Sequence, residues 1–536
     1  MKNVPKLLAA ALVFTCATTL LIQSTSAQPG RSQAQAPDNR AADARPAANE
    51  NPREEWSVTD HTIQIGGQTI PYKASAGTTL LRNDAGETTG LLYSVAYTRS
   101  DAKDPASRPV AFVYNGGPGS ASMWLHMGAF GPRRVWTVNG EFTPPAPYKL
   151  VDNAESLLDK TDLVFIDAMG TGYSRIAGKG TPRDFYGVDE DAAAFGQFIA
   201  TYISRNDRWN SPKFLLGESY GTFRSAVLGN LLQSRYNMHL NGICLISSVL
   251  DLATITFAPG DDRPYVFYLP SYAAVAWYHK ALKNRPANQV EFIEEARKYA
   301  QGEYADALFK GSTLTAAQKA AVVKKLSYFT GLSEDYLLKA NLRPALGQFN
   351  VELLRSRGLT SGRIDARFTG YTGNLLAETA QGDPEDPAVG GAYTAILNMY
   401  NHDELKFGKD KQYNNRYNNP GGGWNWTRTG GGGRGGGGGG GFPSAPSSQR
   451  DLMQAMITNP KLLVQVENGY YDMATPFFAT EFTMTHLGLP AELQKNVRLN
   501  YYNSGHMMYL RDEDRVLLHN NVADFIERAT NGATKP

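Results

Sequence analysis

The stretch Lys213–Thr222, KFLLGESYGT, is the key to the chain. Phe214, Leu215 and Leu216 form a short apolar run that meets Gly217-Glu218-Ser219-Tyr220-Gly221, and across residues 223–235 Leu and Ala recur at helical spacing. That order predicts strand, tight turn, helix. Gly-x-Ser-x-Gly in this setting is the pattern of a nucleophile elbow, in which small flanking residues let the chain turn so sharply that a serine Oγ stands clear of the backbone. An ordinary turn with a capping serine shares the pentapeptide, but the strand before it and the helix after it favour the elbow.

Outward from the elbow, apolar runs alternate with helical segments. Residues 110–114 form a strand candidate running into Asn115-Gly116-Gly117-Pro118-Gly119, and residues 162–166 form another that ends at Asp167. A helical stretch at 188–204 precedes the elbow strand, and the run 242–247 follows the elbow helix. Near the C-terminus, strand candidates at 461–466 and 498–502 precede Asp472 and His506, and a helix over 511–529 closes the chain. Continuous apolar strands separated by helices predict an α/β fold with a mostly parallel sheet covered on both faces. Ahead of it, β-type runs at 62–65, 69–72 and 91–98, split by glycine turns, predict an antiparallel start to the same sheet. The core is therefore expected over residues 56–257 and 451–530, with residues 258–450 as an inserted helical cap. Helices are expected there at 287–302, 315–327 and 332–341, and a Gly-rich loop at 421–441.

The 536 residues carry a net charge of only +2, with Lys and Arg scattered along the chain, so nothing points to a nucleic-acid partner. Lys2 and Lys6 precede an apolar run over 7–22 and the small residues Thr25-Ser26-Ala27, the layout of a signal peptide spanning 1–27. A retained anchor or a lipidated Cys16 is the alternative, and the Phe14-Thr15 context speaks against lipidation. An exported protein with no stable membrane insertion after cleavage is expected, periplasmic or secreted. Residues 28–55, poor in large apolar side chains, read as a disordered leader. Of two cysteines, Cys16 leaves with the signal, and Cys244, in an apolar run, reads as a small buried hydrophobe.

A serine hydroxyl needs a base within hydrogen-bond reach and a carboxylate to orient that base. Elbow hydrolases order these along the chain as serine, acid, histidine. Ser219, Asp472 and His506 satisfy that order, each just past the C-terminal end of a predicted strand. His126 and Asp167 are the rivals, the one following the glycine loop and the other ending a strand ahead of the serine. Two N–H donors must meet the oxyanion, and Tyr220 and the 115–119 loop are placed to provide them. With no His-Glu-x-x-His or Cys/His cluster, neither a metal nor another cofactor is expected.

Taken together, Asn115-Gly-Gly-Pro-Gly-Ser120, Asp167 with Gly170-Thr-Gly-Tyr-Ser174, Gly217-Glu-Ser-Tyr-Gly221 and Gly505-His506-Met507 resemble the serine carboxypeptidases, peptidase family S10. The resemblance covers roughly 56–255 and 451–530 and implies an α/β-hydrolase fold. It implies a Ser219, Asp472, His506 triad, oxyanion donors at Gly117 and Tyr220, and a grip on the substrate's C-terminal carboxylate by Asn115, Gly116 and Glu218. Peptide or protein C-termini would be the substrate. The sequence departs from the family at Ala129, where a second acid is expected, at Ser120 in place of a cysteine, and at Tyr509 in place of a proline. The stretch around Asp472 is also similar to tripeptidyl and prolyl aminopeptidase-like hydrolases, so an aminopeptidase or esterase with the same triad is the alternative, and a non-catalytic binding protein a third. Side-chain preference and oligomeric state have no signature in the chain.

Overall fold

The computed structural model describes residues 52–417, 423–428 and 445–534. The expected signal peptide, most of the expected leader and most of the Gly-rich loop lie outside these residues. A single large sheet organises the described chain. Its main path runs β1 (Trp56–Ile65), β2 (Gln68–Arg82), β3 (Thr88–Arg99), then β5 (Asp162–Ile166), β4 (Val110–Tyr114), β6 (Lys213–Glu218), β7 (Gly242–Ile246), β8 (Leu463–Gly469) and β9 (Val497–Tyr502). From β5 through β9 every neighbouring pair is parallel, while β1–β2, β2–β3 and β3–β5 are antiparallel. The order β5-β4-β6 reverses the direction of winding, and ligands of open α/β sheets bind outside the strand ends at such a reversal. There the loops after β4 and β6 lie side by side.

Strands β4, β5, β6 and β7 are buried at every residue, which is why they read as unbroken apolar runs. One face carries α1 (Val188–Arg205) and α2 (Tyr220–Tyr236), packing Phe195, Phe198, Leu228 and Leu232 onto Phe112, Val164, Leu215 and Leu245. The other face meets the C-terminal helix (Asp512–Thr534) through Leu518, Val522, Phe525 and Ile526.

The inserted region divides between two packing environments. Helices α3 (Arg263–Tyr278), α4 (Gln289–Tyr299) and α5 (Ala316–Thr330) share a cluster with Tyr471, Met473, Phe477 and Phe478, so this layer sits on the loop after β8. By contrast α6 (Glu385–Asp403) buries Val389, Tyr393, Ile396 and Tyr400 in the core of the sheet, beside Tyr97, Leu125 and Phe165. The helical insertion expected over 258–450 thus does not pack as one layer, because the apolar face of α6 is satisfied by the sheet and not by the other helices. The expected helix at 332–341 is only Glu334–Lys339, and two short strands, Leu359–Ser361 and Thr369–Tyr371, lie within the insertion. Among the described residues no helix is long and apolar enough to cross a membrane.

Candidate active site

Ser219 follows β6 directly, with φ 60° and ψ −130°, a left-handed conformation that costs a non-glycine residue about 1–3 kcal/mol. The flanking glycines explain how the turn closes. A Cβ on Gly217 would press on Ser225 Oγ and the Gly221 carbonyl, and one on Gly221 would stand 3.0 Å from the Tyr114 carbonyl oxygen. Ser219 is partly exposed, while Glu218 and Tyr220 on either side are buried.

His506 and Asp472 meet as the sequence predicts. His506 Nδ1 lies 2.8 Å from Asp472 Oδ2, and since a carboxylate only accepts, the ring proton sits on Nδ1 and leaves Nε2 as the basic nitrogen. Asp472 is held in turn by the Ala474 and Thr475 N–H groups at 2.8 and 2.9 Å and by the Thr475 hydroxyl at 2.7 Å. Burial pulls the His506 imidazole down, but Asp472, by charge and hydrogen bond, and then Glu218 outweigh it and leave the pKa above the ordinary histidine value. The end of β7 joins the two halves. The Ser219 N–H donates to the Ile246 carbonyl at 3.0 Å, and Ser247 Oγ donates to the His506 carbonyl at 2.7 Å.

The glycine loop lies against the elbow. A Cβ on Gly116 would collide with the Tyr220 backbone nitrogen and lie 2.6 Å from that of Gly221, so only glycine lets the chain pass here. Gly117, at φ +107°, is exposed beyond it. The Tyr220 N–H belongs to the first turn of α2, whose donors the helix itself leaves unpaired. Arg224, fully buried on α2, donates to the Asn115 carbonyl at 2.8 Å and pairs with Asp191 at 2.6 Å, fixing the loop from beneath. Nothing in the sequence marked Arg224 except its position within an otherwise apolar helix.

Asn115 donates to Glu218 Oε1 at 2.6 Å and accepts the Leu125 N–H at 3.0 Å, and Tyr509 donates to Glu218 Oε2 at 2.9 Å. Burial raises the Glu218 pKa to about 7, against the lowering effect of His506 and of its two hydrogen bonds. The departure at Tyr509 thus supplies a partner for this carboxyl. Ala129 is buried with no polar group to offer. A second carboxyl arrives from α6: Glu385 is buried, its Oε1 has no hydrogen-bond partner, and burial, then the charges of Asp383, Asp386, Asp365 and Glu218, push its pKa well up. Tyr393, one helical face along on α6, fits over Gly128, where a Cβ would press on its hydroxyl.

The rivals fall elsewhere. His126 lies under Phe165, its Nε2 2.6 Å from the Tyr97 hydroxyl, and burial takes its pKa down to about 3. Asp167 accepts the Ser122 N–H and the Tyr413 hydroxyl, both at 2.7 Å, and holds the start of the glycine loop's return. Trp424 and Trp426, between the glycine tracts, pack edge-on to the Tyr220 ring at 5.4 and 5.8 Å, and Arg428 fastens this segment to Asp189 and Asp451. No metal-holding group of His, Cys, Asp and Glu occurs among the described residues.

The sequence model of one family, described as serine carboxypeptidase, matches residues 67–342, more than half of the chain. The chain belongs to the serine carboxypeptidase family. Serine carboxypeptidase-like 45 of Arabidopsis thaliana is similar to it at 29% identity over 160 residues, which is 28% of this chain and 32% of that protein, so the match spans about a third of the relative's length. Among solved structures, the prohormone-processing carboxypeptidase Kex1 of Saccharomyces cerevisiae is similar in fold, with a TM-score of 0.51 at 14% identity over 85% of this chain and 91% of that one. The peroxisomal α/β-hydrolase Lpx1 of the same yeast aligns over 90% of this chain and 89% of its own at 11% identity and a TM-score of 0.32. In this family member the α/β-hydrolase sheet and the loops at its parallel strand ends are those just described.

Proposed function

We propose that this protein is an exported serine carboxypeptidase that releases C-terminal residues from peptides through an acyl-enzyme. The observation that carries the reading is the Asn115–Glu218 hydrogen bond beside Ser219. It presents an amide and a carboxyl that is half-protonated near neutrality, a pair able to bind a carboxylate by donating to it. Glu385, a second buried carboxyl whose pKa is pushed up by burial and by neighbouring acids including Glu218, supports that reading where Ala129 has no carboxyl.

In this mechanism Ser219 Oγ attacks the scissile carbonyl carbon while His506 Nε2 takes the hydroxyl proton. Asp472 holds the ring in the required tautomer and stabilises the imidazolium. The Tyr220 and Gly117 N–H groups receive the oxyanion. The imidazolium then protonates the departing amine as the C–N bond breaks, and water, deprotonated by His506, cleaves the ester. Export rests on the residue 1–27 pattern, and N-terminal sequencing of the mature protein should begin at Gln28.

Peptides blocked at one end or the other test the reading. Release of the last residue is expected from N-acetylated peptides with a free C-terminus and not from C-terminal amides. Cleavage of the amide but not of the N-acetylated peptide would overturn it in favour of an aminopeptidase. A fluorophosphonate is expected to label the folded protein at Ser219 and to leave Ser219→Ala unlabelled, and absence of such labelling would favour a binding protein.

A further inference from the structure

The insertion returns to the sheet edge at residues 362–367, where its backbone is fastened to two of the triad loops at once. The Met473 N–H donates to the Arg363 carbonyl at 3.1 Å, and the His506 N–H donates to the Ile364 carbonyl at 2.8 Å. Asp383 holds the same two residues from behind, accepting the Arg363 and Ile364 N–H groups at 3.1 and 2.8 Å. The backbone at Arg363 is therefore fixed next to Asp472 and His506. Its side chain is exposed, and its guanidinium makes no hydrogen bond or ion pair with any described residue.

Neighbouring arginines are all engaged: Arg367 with Asp365 and Asn139, Arg511 with Asp514, Arg343 with Asp262. Arg363 alone keeps a free charge close enough to lower the pKa of His506, after the larger effects of burial, Asp472 and Glu218. Such a charge opposes the imidazolium that catalysis must form, so by itself it works against the triad. Asp383, whose pKa that charge lowers, lies in its field without forming an ion pair with it. Asp383 is occupied by backbone donors, and Glu218 and Glu385 are buried and biased toward their neutral forms. An anion brought by the substrate would neutralise it and strengthen the base at the moment of reaction.

We propose that Arg363 is a specificity-determining residue that pairs with an acidic side chain beside the scissile bond, so that Asp or Glu is preferred there. This rests on the carboxypeptidase reading, in which the α-carboxylate is already held by Asn115 and Glu218.

Binding to the Ser219→Ala protein tests it without chemistry. N-acylated peptides carrying Glu or Gln at the last or the penultimate position are titrated calorimetrically, with Arg363 intact and with Arg363→Gln added. At one of the two positions Glu is expected to bind about five- to tenfold more tightly than Gln, the range of a partly exposed charged hydrogen bond, and the ratio should shrink with added NaCl. In Ser219→Ala/Arg363→Gln it should fall to about one, and Arg363→Glu should favour Lys instead. A ratio near one with Arg363 present, or one unchanged by Arg363→Gln, overturns the proposal. Equal weakening of Glu and Gln peptides also overturns it, since that outcome places Arg363 on the α-carboxylate. Hydrolysis by the unmutated protein is run alongside. Discrimination in binding with no hydrolysis sinks the carboxypeptidase reading and leaves Arg363 standing, and hydrolysis without discrimination does the reverse.

Discussion

Glu218 and His506 set opposite limits on activity with pH. His506 must be neutral to act as base, so activity falls on the acid side as it protonates. In the proposed reaction Glu218 keeps its proton to bind a carboxylate, so binding is expected to weaken as pH rises through about 7. The expected outcome is a KM for free-C-terminus peptides that climbs above neutrality while the rate of fluorophosphonate labelling does not fall; in Glu218→Gln the alkaline rise in KM should vanish. Tyr509→Phe removes a bond that lowers the Glu218 pKa, so the same rise should move to higher pH. Linkage gives a second check. A carboxyl whose folded pKa exceeds its unfolded value of about 4.5 makes the folded chain hold its proton more tightly, so its contribution to stability declines as pH rises from there to about 7. Glu218→Gln should therefore melt at a higher temperature than the parent at pH 8 and show no such gain at pH 4. For the base, Asp472→Asn should lower kcat by roughly three to four orders of magnitude with little change in KM, because the imidazole tautomer is lost.

At the scale of elements, the glycine loop and the elbow act as one fitted pair. Gly116→Ala would push its methyl into the Tyr220 nitrogen that is to receive the oxyanion. A folded variant, verified by circular dichroism, should react with fluorophosphonate about a hundredfold more slowly, the effect of losing one oxyanion donor. The elements that carry this pair were legible in the sequence because burial on both faces imposes continuous apolar strands, as at β4 and β6. Others were not. The second half of β2, with Ala74, Ala76, Gly77, Thr78 and Thr79, is built of small residues whose burial comes from β1 and β3 and leaves no alternation to read. Helix α3 contains Pro270, and α6 contains Pro387 with Gly390 and Gly391, residues that argue against a helix until packing compensates, on Tyr471 and Phe477 for α3 and on Tyr97 and Phe165 for α6. Glu385 and Arg363 were missed because each is brought near the triad loops by tertiary placement that has no motif of its own, whereas Thr475 holds Asp472 through a local turn.

At the scale of the whole molecule, the described residues are held by packing without a disulfide. Cys244 is buried on β7, and burial raises its thiol pKa well above the ordinary value. The mature protein should therefore melt at the same temperature with and without reductant, and an aromatic disulfide reagent should reach the thiol only on unfolding; a lower melting temperature in reductant would contradict this. The backbone clasp at residues 362–367 bears on how such a fold can be re-engineered. Because one short segment of the insertion holds both the acid loop and the base loop, the insertion is not an interchangeable module over a self-sufficient core. A chimera that imports a relative's insertion to change selectivity would bring foreign hydrogen bonds to Met473 and His506 with it, and the graft boundaries that respect the machinery leave residues 362–367 with the core.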